Sequence, residues 1–201
     1  MRSPRQSRSR VSTERMLNGA LSLLEDGGLK ALTVDNLAQR TQTSNGSIYH
    51  RFGSRDGLVE AALDQFIGEF EARMRDGVAG LDHVCDDAVA VERLVSHYLT
   101  FFDENRMRFR AFLTEGLDHD ALAARGTRAS YTIAGMMCKW FTGRFGCTEQ
   151  TAEVCYRILQ GLGASRALWY ENQITPSPPP AEAMQREVSE AILYALTVRR
   201  P

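Results

Sequence analysis

Residues 33–58, TVDNLAQRTQTSNGSIYHRFGSRDGL, constrain the fold more than any other segment of the chain. A short helix is predicted first, because Val34, Leu37 and Ala38 fall on one helical face. Four polar residues, TQTS, then interrupt the helical pattern. A second short helix follows, with Ile48 as its main aliphatic side chain. Two short helices joined by a tight polar break predict a helix-turn-helix unit.

The second of these helices has a composition that is unusual for a helix packed into a core. Its polar members are Asn45, Ser47, Tyr49, His50 and Arg51. Amide, hydroxyl, imidazole and guanidinium groups can donate hydrogen bonds to phosphates or to base edges. Such a helix is therefore suited to the major groove of double-stranded DNA, and we expect DNA to be the partner of this segment.

The spacing of these residues resembles the TetR family of one-component transcriptional regulators. The positions that match the family's signature are Thr33, Val34, Leu37, Ala38, Ser44, Gly46, Ser47, Ile48, Tyr49, Phe52, Arg55, Asp56 and Leu58. The motif covers roughly residues 10–60, and the remainder resembles the family by length and helical pattern only. Gln42 stands where the family usually has a turn glycine. Either Gln42 adopts a left-handed conformation at some cost, or the turn is rebuilt.

Donor chemistry and this resemblance together predict roles for the helix-turn-helix residues. Contacts to phosphates are expected from Thr33, Ser44, Tyr49, Arg51 and Arg55. Base edges would be read by Asn45, Ser47 and His50, with Gln42 and Thr43 as further candidates at the helix entry. Gly46 would let the recognition helix approach the DNA closely.

The charge distribution favours the same partner. The chain of 201 residues has a formal net charge of −1. Through Leu58, nine Lys and Arg residues face five Asp and Glu residues, which gives +4 and leaves −5 for the rest. A basic amino-terminal segment on an acidic remainder is typical of a protein that meets DNA with one end.

Three segments are predicted along the chain. Residues 1–10 form a basic flexible arm, either a solvated tail or an arm that reaches DNA. Residues 11–56 form the helix-turn-helix domain, whose first helix is expected from a cap at Ser12 to Asp26. Residues 57–201 form a helical effector-binding and dimerisation domain. The fold class is all-α with about nine helices, a three-helix head and a helical body, and a proline-rich connector at 175–180 separates the last two helices.

The last two predicted helices, at about 149–171 and 181–199, have apolar faces. Their members are Cys155, Ile158, Leu159 and Leu162, and Val188, Ala191, Ile192, Ala195 and Leu196, with Gly161 and Gly163 permitting close approach. By pattern alone these faces fit a monomer core. The resemblance implies instead a homodimer joined by these two helices, which would read a near-palindromic operator.

Aromatic residues and methionines in the middle of the chain are candidates for an effector pocket. They are Phe66, Phe70, Tyr98, Phe102, Phe109, Met136, Met137 and Trp140. Stripes of this kind usually belong to the core. The resemblance implies a small-molecule effector that shifts the linking helix at 58–70 and releases the protein, most simply a repressor, from its operator.

Other functions find no support in the sequence. Asp82, His83 and Cys85 match no closed metal-ligand spacing, and Gly161-Leu162-Gly163 has Arg166 where a dinucleotide fingerprint needs glycine. No catalytic constellation is recognisable, so we expect no enzyme, metal or cofactor. Scattered cysteines and the lack of an 18-residue apolar run predict a cytoplasmic protein without a membrane span. The alternative function is a helical small-molecule-binding protein that no longer reads DNA.

Overall fold

The computed structural model describes residues 4–116 and 119–198, with side chains from Ser9 onward. The regular secondary structure in these ranges is entirely helical, which confirms the predicted all-α class. The helices are α1 (Pro4–Ala31), α2 (Val34–Thr41), α3 (Asn45–Phe52), α4 (Arg55–Ala79), α5 (Asp87–Glu104), α6 (Arg106–Arg110), α7 (Asp120–Phe145), α8 (Glu149–Leu168), α9 (Glu171–Ile174) and α10 (Ala181–Val198). A π-helical turn, Ala111–Glu115, follows α6.

The helix count departs from the prediction at two places. The single helix expected near 107–115 is a short α6 followed by the π-helical turn. The helix expected to end near residue 171 ends at Leu168, because Trp169 adopts an extended conformation (φ −122°, ψ 151°), and the short α9 follows. The proline-rich connector is confirmed as non-helical, since α9 ends at Ile174 and α10 begins at Ala181.

Helix α1 begins earlier than predicted, and its backbone leaves the helical conformation at Gly27 and Gly28, directly after the predicted end at Asp26. It begins at Pro4, so the expected cap residue Ser12 lies inside the helix and that boundary was wrong. Proline suits a first helical turn, because its missing N–H has no intrahelical acceptor there. The helix changes direction at Gly27 and Gly28, where Gly28 has a φ of 65°. Residues 1–3 of the expected arm lie outside the described residues, and a role of the arm on DNA stays a prediction.

The chain divides into two compact units. The amino-terminal unit contains residues 1–68 and 107–126, and the carboxy-terminal unit contains residues 69–106 and 127–201. The division falls within α4, α6 and α7, so these helices contribute to both units. The predicted functional boundaries at residues 10 and 56 stay predictions.

The core of the amino-terminal unit brings the first three helices together. Leu24, Leu37, Ile48 and Leu58 are each at most 1% exposed. A methyl group on Gly19 would lie 2.6 Å from Cγ2 of Thr41, so glycine is what lets α1 and α2 approach each other. Burial of these side chains fixes α2 and α3 on α1 and leaves their polar faces outside.

Residues 107–126 belong to the amino-terminal unit through an aromatic contact and an ion-pair cluster. The rings of Phe66 and Phe109 meet edge to face, with centroids 4.8 Å apart. The guanidinium of Arg125 donates to Glu60 at 2.7 Å and to Asp64 at 2.6 Å. The first half of α4 is therefore held by the start of α7 as well as by the three amino-terminal helices.

The carboxy-terminal unit is organised around α5, which packs against α8 and α10. Tyr98 and Phe102 of α5 are at most 1% exposed. A methyl group on Gly163 would lie 2.7 Å from the Phe102 ring, so Gly163 permits the contact between α5 and α8 within one chain. The close approach expected at Gly163 is therefore confirmed between two helices of one chain, and a contact with a second chain stays a prediction.

Part of the predicted dimer faces is also buried within the chain. Cys155 and Leu159 of α8 and Ile192 and Leu196 of α10 have no exposed surface. These four side chains belong to the core of the carboxy-terminal unit, as the helical pattern alone indicated. In the described ranges, no helix has the length and apolarity needed to span a bilayer.

Candidate nucleic-acid interface

Two capping hydroxyls set the ends of the helix-turn-helix. The side chain of Thr33 accepts a hydrogen bond from the backbone N–H of Asn36 at 3.1 Å, at the start of α2. The side chain of Ser44 accepts one from the backbone N–H of Ser47 at 3.2 Å, at the start of α3. Each hydroxyl satisfies a backbone donor that a helix terminus leaves open. Thr33 and Ser44 therefore position the helices. A phosphate contact by either residue would be made by the same hydroxyl group that caps its helix.

Gln42 adopts the left-handed conformation at the end of α2, with φ 51° and ψ 46°. Its backbone N–H donates to the Gln39 carbonyl at 3.4 Å, and that of Thr43 donates to the Ala38 carbonyl at 3.0 Å. These bonds close the helix as a glycine cap does. The sequence left open whether Gln42 is left-handed or the turn is rebuilt. In the structure the turn is intact and Gln42 is left-handed.

Replacing Gln42 with glycine is expected to stabilise the protein by up to about 1 kcal/mol. A residue with a Cβ costs about 1–2 kcal/mol in the left-handed conformation, and glycine avoids this cost. Part of the gain is lost, because glycine also raises the conformational entropy of the unfolded chain. Gln39→Gly is the matched control within α2, and it should destabilise by about 1 kcal/mol. Thermal unfolding of both variants measures the difference. Destabilisation of the same size at both positions would contradict the conformation of Gln42.

Helix α3 presents its polar side chains to solvent. Ile48 is 1% exposed, whereas Tyr49 is 51% exposed. The other exposed predicted site residues are Gln42, Ser44, Asn45, Gly46, Ser47, His50, Arg51 and Arg55, and Thr43 is half-buried. Ile48 is the buried anchor of this eight-residue helix, and six of its other residues are exposed to a partner.

The two arginines predicted to bind phosphate are engaged within the protein. Nε and Nη2 of Arg55 donate to the carbonyls of Leu32 at 3.0 Å and Leu29 at 2.6 Å, at the end of α1. Carbonyls at a helix carboxyl end have no intrahelical donor, which makes a cation favourable there. Arg51 donates to the Ser9 carbonyl at 3.2 Å and to the Thr13 hydroxyl. A phosphate contact by either arginine would have to share these donors.

Several polar partners near α3 were not singled out from the sequence. Asp35 of α2 accepts a hydrogen bond from the amide of Asn45 at 2.6 Å. Arg15 of α1 donates to the hydroxyl of Thr43 at 3.3 Å. An acidic residue in the first turn of a helix is usually explained by the helix dipole, so the sequence contained no separate signal for the Asp35 contact.

Gly46 is not required by the fold. It has no left-handed backbone, and a Cβ built on it meets only the Ser44 hydroxyl oxygen, at 4.0 Å. Gly57, by contrast, would place a Cβ 2.1 Å from the Phe52 carbonyl oxygen. Packing within the chain therefore does not require glycine at position 46, and its role in a close approach to DNA stays a prediction.

Gly46→Ala is expected to leave the unfolding temperature unchanged or higher, since alanine is the better helix former by up to about 1 kcal/mol. DNA affinity should fall about tenfold, because the methyl group keeps α3 from closing on the groove. Gly135→Ala, at an equally open position in α7, is the control and should leave DNA affinity unchanged. Unchanged affinity for Gly46→Ala in an anisotropy titration would show that α3 does not approach DNA at this point.

The residues predicted to line an effector pocket fall in different parts of the molecule. Phe66 and Phe109 lie in the amino-terminal unit. In the carboxy-terminal unit, the rings of Phe70, Tyr98 and Phe102 form a cluster with centroid distances of 5.9, 5.6 and 5.2 Å. Met137 is fully buried, and Met136 and Trp140 line an open cavity of about 460 Å³. A shared pocket for all eight residues stays a prediction.

A larger cavity, of about 670 Å³, opens between α7 and α8 of the carboxy-terminal unit. Gln160 and Tyr156 line it, and Oε1 of Gln160 accepts hydrogen bonds from Tyr98 at 2.5 Å and from Tyr156 at 3.4 Å. Burial raises the pKa of both tyrosine hydroxyls, so the phenols are neutral donors near pH 7. This hydrogen-bonded set connects the aromatic cluster to the cavity.

Comparisons with known proteins place the helix-turn-helix in a family. Residues 16–62 match the family model described as bacterial regulatory proteins, tetR family. The HTH-type transcriptional repressor KstR2 of Rhodococcus jostii is 35% identical over 68 residues, which are 33% of this chain and 33% of that protein. The chain spans about a third of the length of the curated relatives it matches.

Solved structures resemble the chain over most of its length. A tetR-family transcriptional regulator from Streptomyces coelicolor superposes with a TM-score of 0.68 at 17% identity, covering 93% of this chain and 80% of that one. The regulator FadR from Bacillus subtilis, solved in complex with stearoyl-CoA, has a TM-score of 0.67 at 12% identity and covers 91% and 98%. At such identities the likeness shows a shared fold. The family match over residues 16–62 confirms the resemblance drawn from the motif: the helix-turn-helix segment of this chain is that of the tetR family of bacterial regulatory proteins.

Proposed function

We propose that this chain is a sequence-specific DNA-binding transcriptional regulator that acts as a repressor. The observation that supports this most is the exposed polar face of α3, set on an intact turn whose left-handed residue is Gln42. The repressor KstR2 is 35% identical to this chain over 68 residues. Polar donors on a short helix, anchored by one buried isoleucine, suit readout in the major groove.

Binding to random duplex DNA at a series of salt concentrations tests the DNA-binding part of this proposal. The logarithm of the affinity should fall linearly with the logarithm of the salt concentration, since each neutralised phosphate releases counterions. Affinity that is absent at low salt, or that does not depend on salt, would contradict a DNA-binding head.

The regulator is further proposed to act as a homodimer through α8 and α10. These two helices contact each other within the chain, and each has exposed apolar side chains at i, i+4 spacing. Val154 and Ile158 of α8 are 50% and 43% exposed, and Tyr194 and Val198 of α10 are 67% and 57% exposed. Exposed apolar side chains at helical spacing on neighbouring helices are typical of a surface that a second copy covers. Two copies would present two recognition helices to a near-palindromic operator.

A small-molecule effector is proposed to bind in the carboxy-terminal unit and to release the protein from DNA. The cavity between α7 and α8 lies within the usual size range of ligand sites, about 300–1,000 Å³. The structurally similar FadR was solved with stearoyl-CoA, which is a precedent for ligand binding on this fold. Binding would shift α4, which runs through Leu58 and Phe70, and thereby disfavour the DNA-bound state.

A metabolite screen by thermal unfolding tests the effector. A true effector should raise the unfolding temperature of the free protein and lower its affinity for the operator, because the two binding events are linked. Gln160→Ala should weaken both effects if the ligand lies in the cavity between α7 and α8. A ligand that stabilises the protein without changing operator affinity would contradict the release mechanism.

The alternative, a small-molecule-binding protein that no longer reads DNA, depended on the replacement of the turn glycine by Gln42. Since Gln42 adopts the conformation that the turn needs, that replacement gives no reason to expect a disabled head. The salt-dependent binding experiment separates the two functions directly.

A further inference from the structure

A hydrogen bond between α2 and α3 fixes the first residue of the recognition helix. Nδ2 of Asn45 donates to Oδ1 of Asp35 at 2.6 Å. Asn45 is the first residue of α3, directly after the cap Ser44, and both partners are exposed on the surface that carries the other predicted DNA contacts. In a helix-turn-helix, residues at this end of the recognition helix are the ones that reach base edges.

The Asp35 contact leaves Asn45 with a defined set of hydrogen-bonding groups. A primary amide has two N–H donors and a carbonyl oxygen with two lone pairs. Asp35 takes one N–H, and over the described ranges of the chain the other N–H and Oδ1 have no protein partner. Asn45 therefore keeps one donor and one acceptor for a partner.

One donor beside one acceptor is the complement of adenine. In the major groove, adenine offers the N7 acceptor and the N6 amino donor, and asparagine pairs with both at once. Guanine offers two acceptors, N7 and O6, and would require two donors from the same amide. Cytosine offers a donor and thymine an acceptor with a methyl group. Because Asp35 occupies the second N–H, pairing with guanine is lost.

We propose that Asp35 is a positioning residue that holds the Asn45 amide so that Asn45 reads one adenine in each operator half-site. The inference rests on the proposed DNA-binding function. The carboxylate of Asp35 also repels the phosphates of DNA. Asp35 therefore raises the preference for adenine while it lowers the affinity for DNA of any sequence. A residue that only stabilises the fold of the helix-turn-helix would instead change the base preference and the overall DNA affinity in the same direction.

Selection from a random DNA pool, followed by titrations on single-base variants of the selected site, tests the proposal with three proteins. Wild type should prefer adenine at one position of each half-site by about tenfold over guanine. Asp35→Ala should lose that preference and bind random DNA more tightly than wild type. Asp35→Asn should also bind random DNA more tightly but keep the adenine preference, since its amide oxygen still accepts from Asn45.

Asn45→Ala and the double variant Asp35→Ala/Asn45→Ala complete the experiment. Asn45→Ala should remove the preference at the same position, and the double variant should lose nothing more there, because Asp35 acts through Asn45. Thermal unfolding checks that each variant is folded.

The outcomes separate this inference from the proposed function. If wild type selects no sequence, the regulator function itself is contradicted. If wild type selects a site and Asp35→Ala keeps the adenine preference, the function stands and the positioning role is overturned. Loss of a cytosine preference in Asp35→Ala would likewise overturn it, because the carboxylate would then accept directly from the cytosine amino group.

Discussion

Replacing Ile158 with glutamate is expected to convert the proposed homodimer into a monomer and to lower operator affinity by roughly 100-fold or more. Ile158 is 43% exposed on α8 and lies one turn after Val154. A charge placed in an apolar contact between two copies would have to be buried without a partner, which costs several kcal/mol. A monomer binds only one half-site. It therefore loses the increase in affinity that comes from binding two half-sites at once.

Sedimentation and operator titration measure the two effects of Ile158→Glu separately. Ile174→Glu is the matched control, since Ile174 is an isoleucine of similar exposure (49%) that lies outside α8 and α10. The control should remain dimeric with unchanged operator affinity. A dimeric Ile158→Glu protein would contradict α8 as part of the seam, and a monomer with full operator affinity would contradict the need for two heads.

Tyr49→Ala is expected to weaken binding to all DNA sequences alike, by roughly tenfold to 100-fold. A phenol that donates to a charged phosphate contributes about 1.5–3 kcal/mol, and phosphate contacts contain no sequence information. Because Tyr49 is half exposed, its removal should change the free energy of unfolding by less than about 0.5 kcal/mol. Anisotropy titrations on the selected operator and on random duplex give the two affinities.

Two further variants make the Tyr49 experiment specific. Tyr131→Ala removes a tyrosine that is 73% exposed on α7 and should leave DNA binding unchanged. His50→Ala should reduce the preference at particular base pairs and change random-DNA affinity little. If Tyr49→Ala kept full affinity and lost discrimination, the roles assigned to Tyr49 and His50 would be reversed.

Local chemistry explains why the helix-turn-helix could be predicted from the sequence. The caps Thr33 and Ser44 act within three residues of the groups they bind, and the buried face of α2 follows helical spacing. The break at 175–180 follows from proline alone. Such features depend on neighbours in the chain, which a single sequence shows.

Contacts between distant residues explain most of what the sequence did not reveal. Arg55 binds carbonyls of Leu29 and Leu32, 26 and 23 residues away, although a cation at that position is also what phosphate binding would require. Gly163 accommodates Phe102, which no helical pattern indicates. The aromatic residues have the same helical spacing whether they form a core or line a cavity. Only their positions in the folded structure distinguish core residues from cavity residues.

The start of α1 shows a different limit. Arginine and glutamine are good helix formers, so the polar composition of residues 4–10 is compatible with a helix as well as with a tail. The hydroxyl of Ser12 is a good cap signal, but it does not prevent a helix from beginning earlier in the chain. Pro4 provided a start signal of equal quality.

Selection of bound sequences from a random DNA pool, with purified protein at near-physiological salt, tests the central claim most directly. We expect an enriched inverted repeat whose half-sites lie one helical turn, about 34 Å, or a multiple of it apart. Enrichment of such a repeat would support a dimeric regulator that reads DNA through α3. A pool that stays random after repeated selection, with only weak salt-sensitive binding, would contradict it.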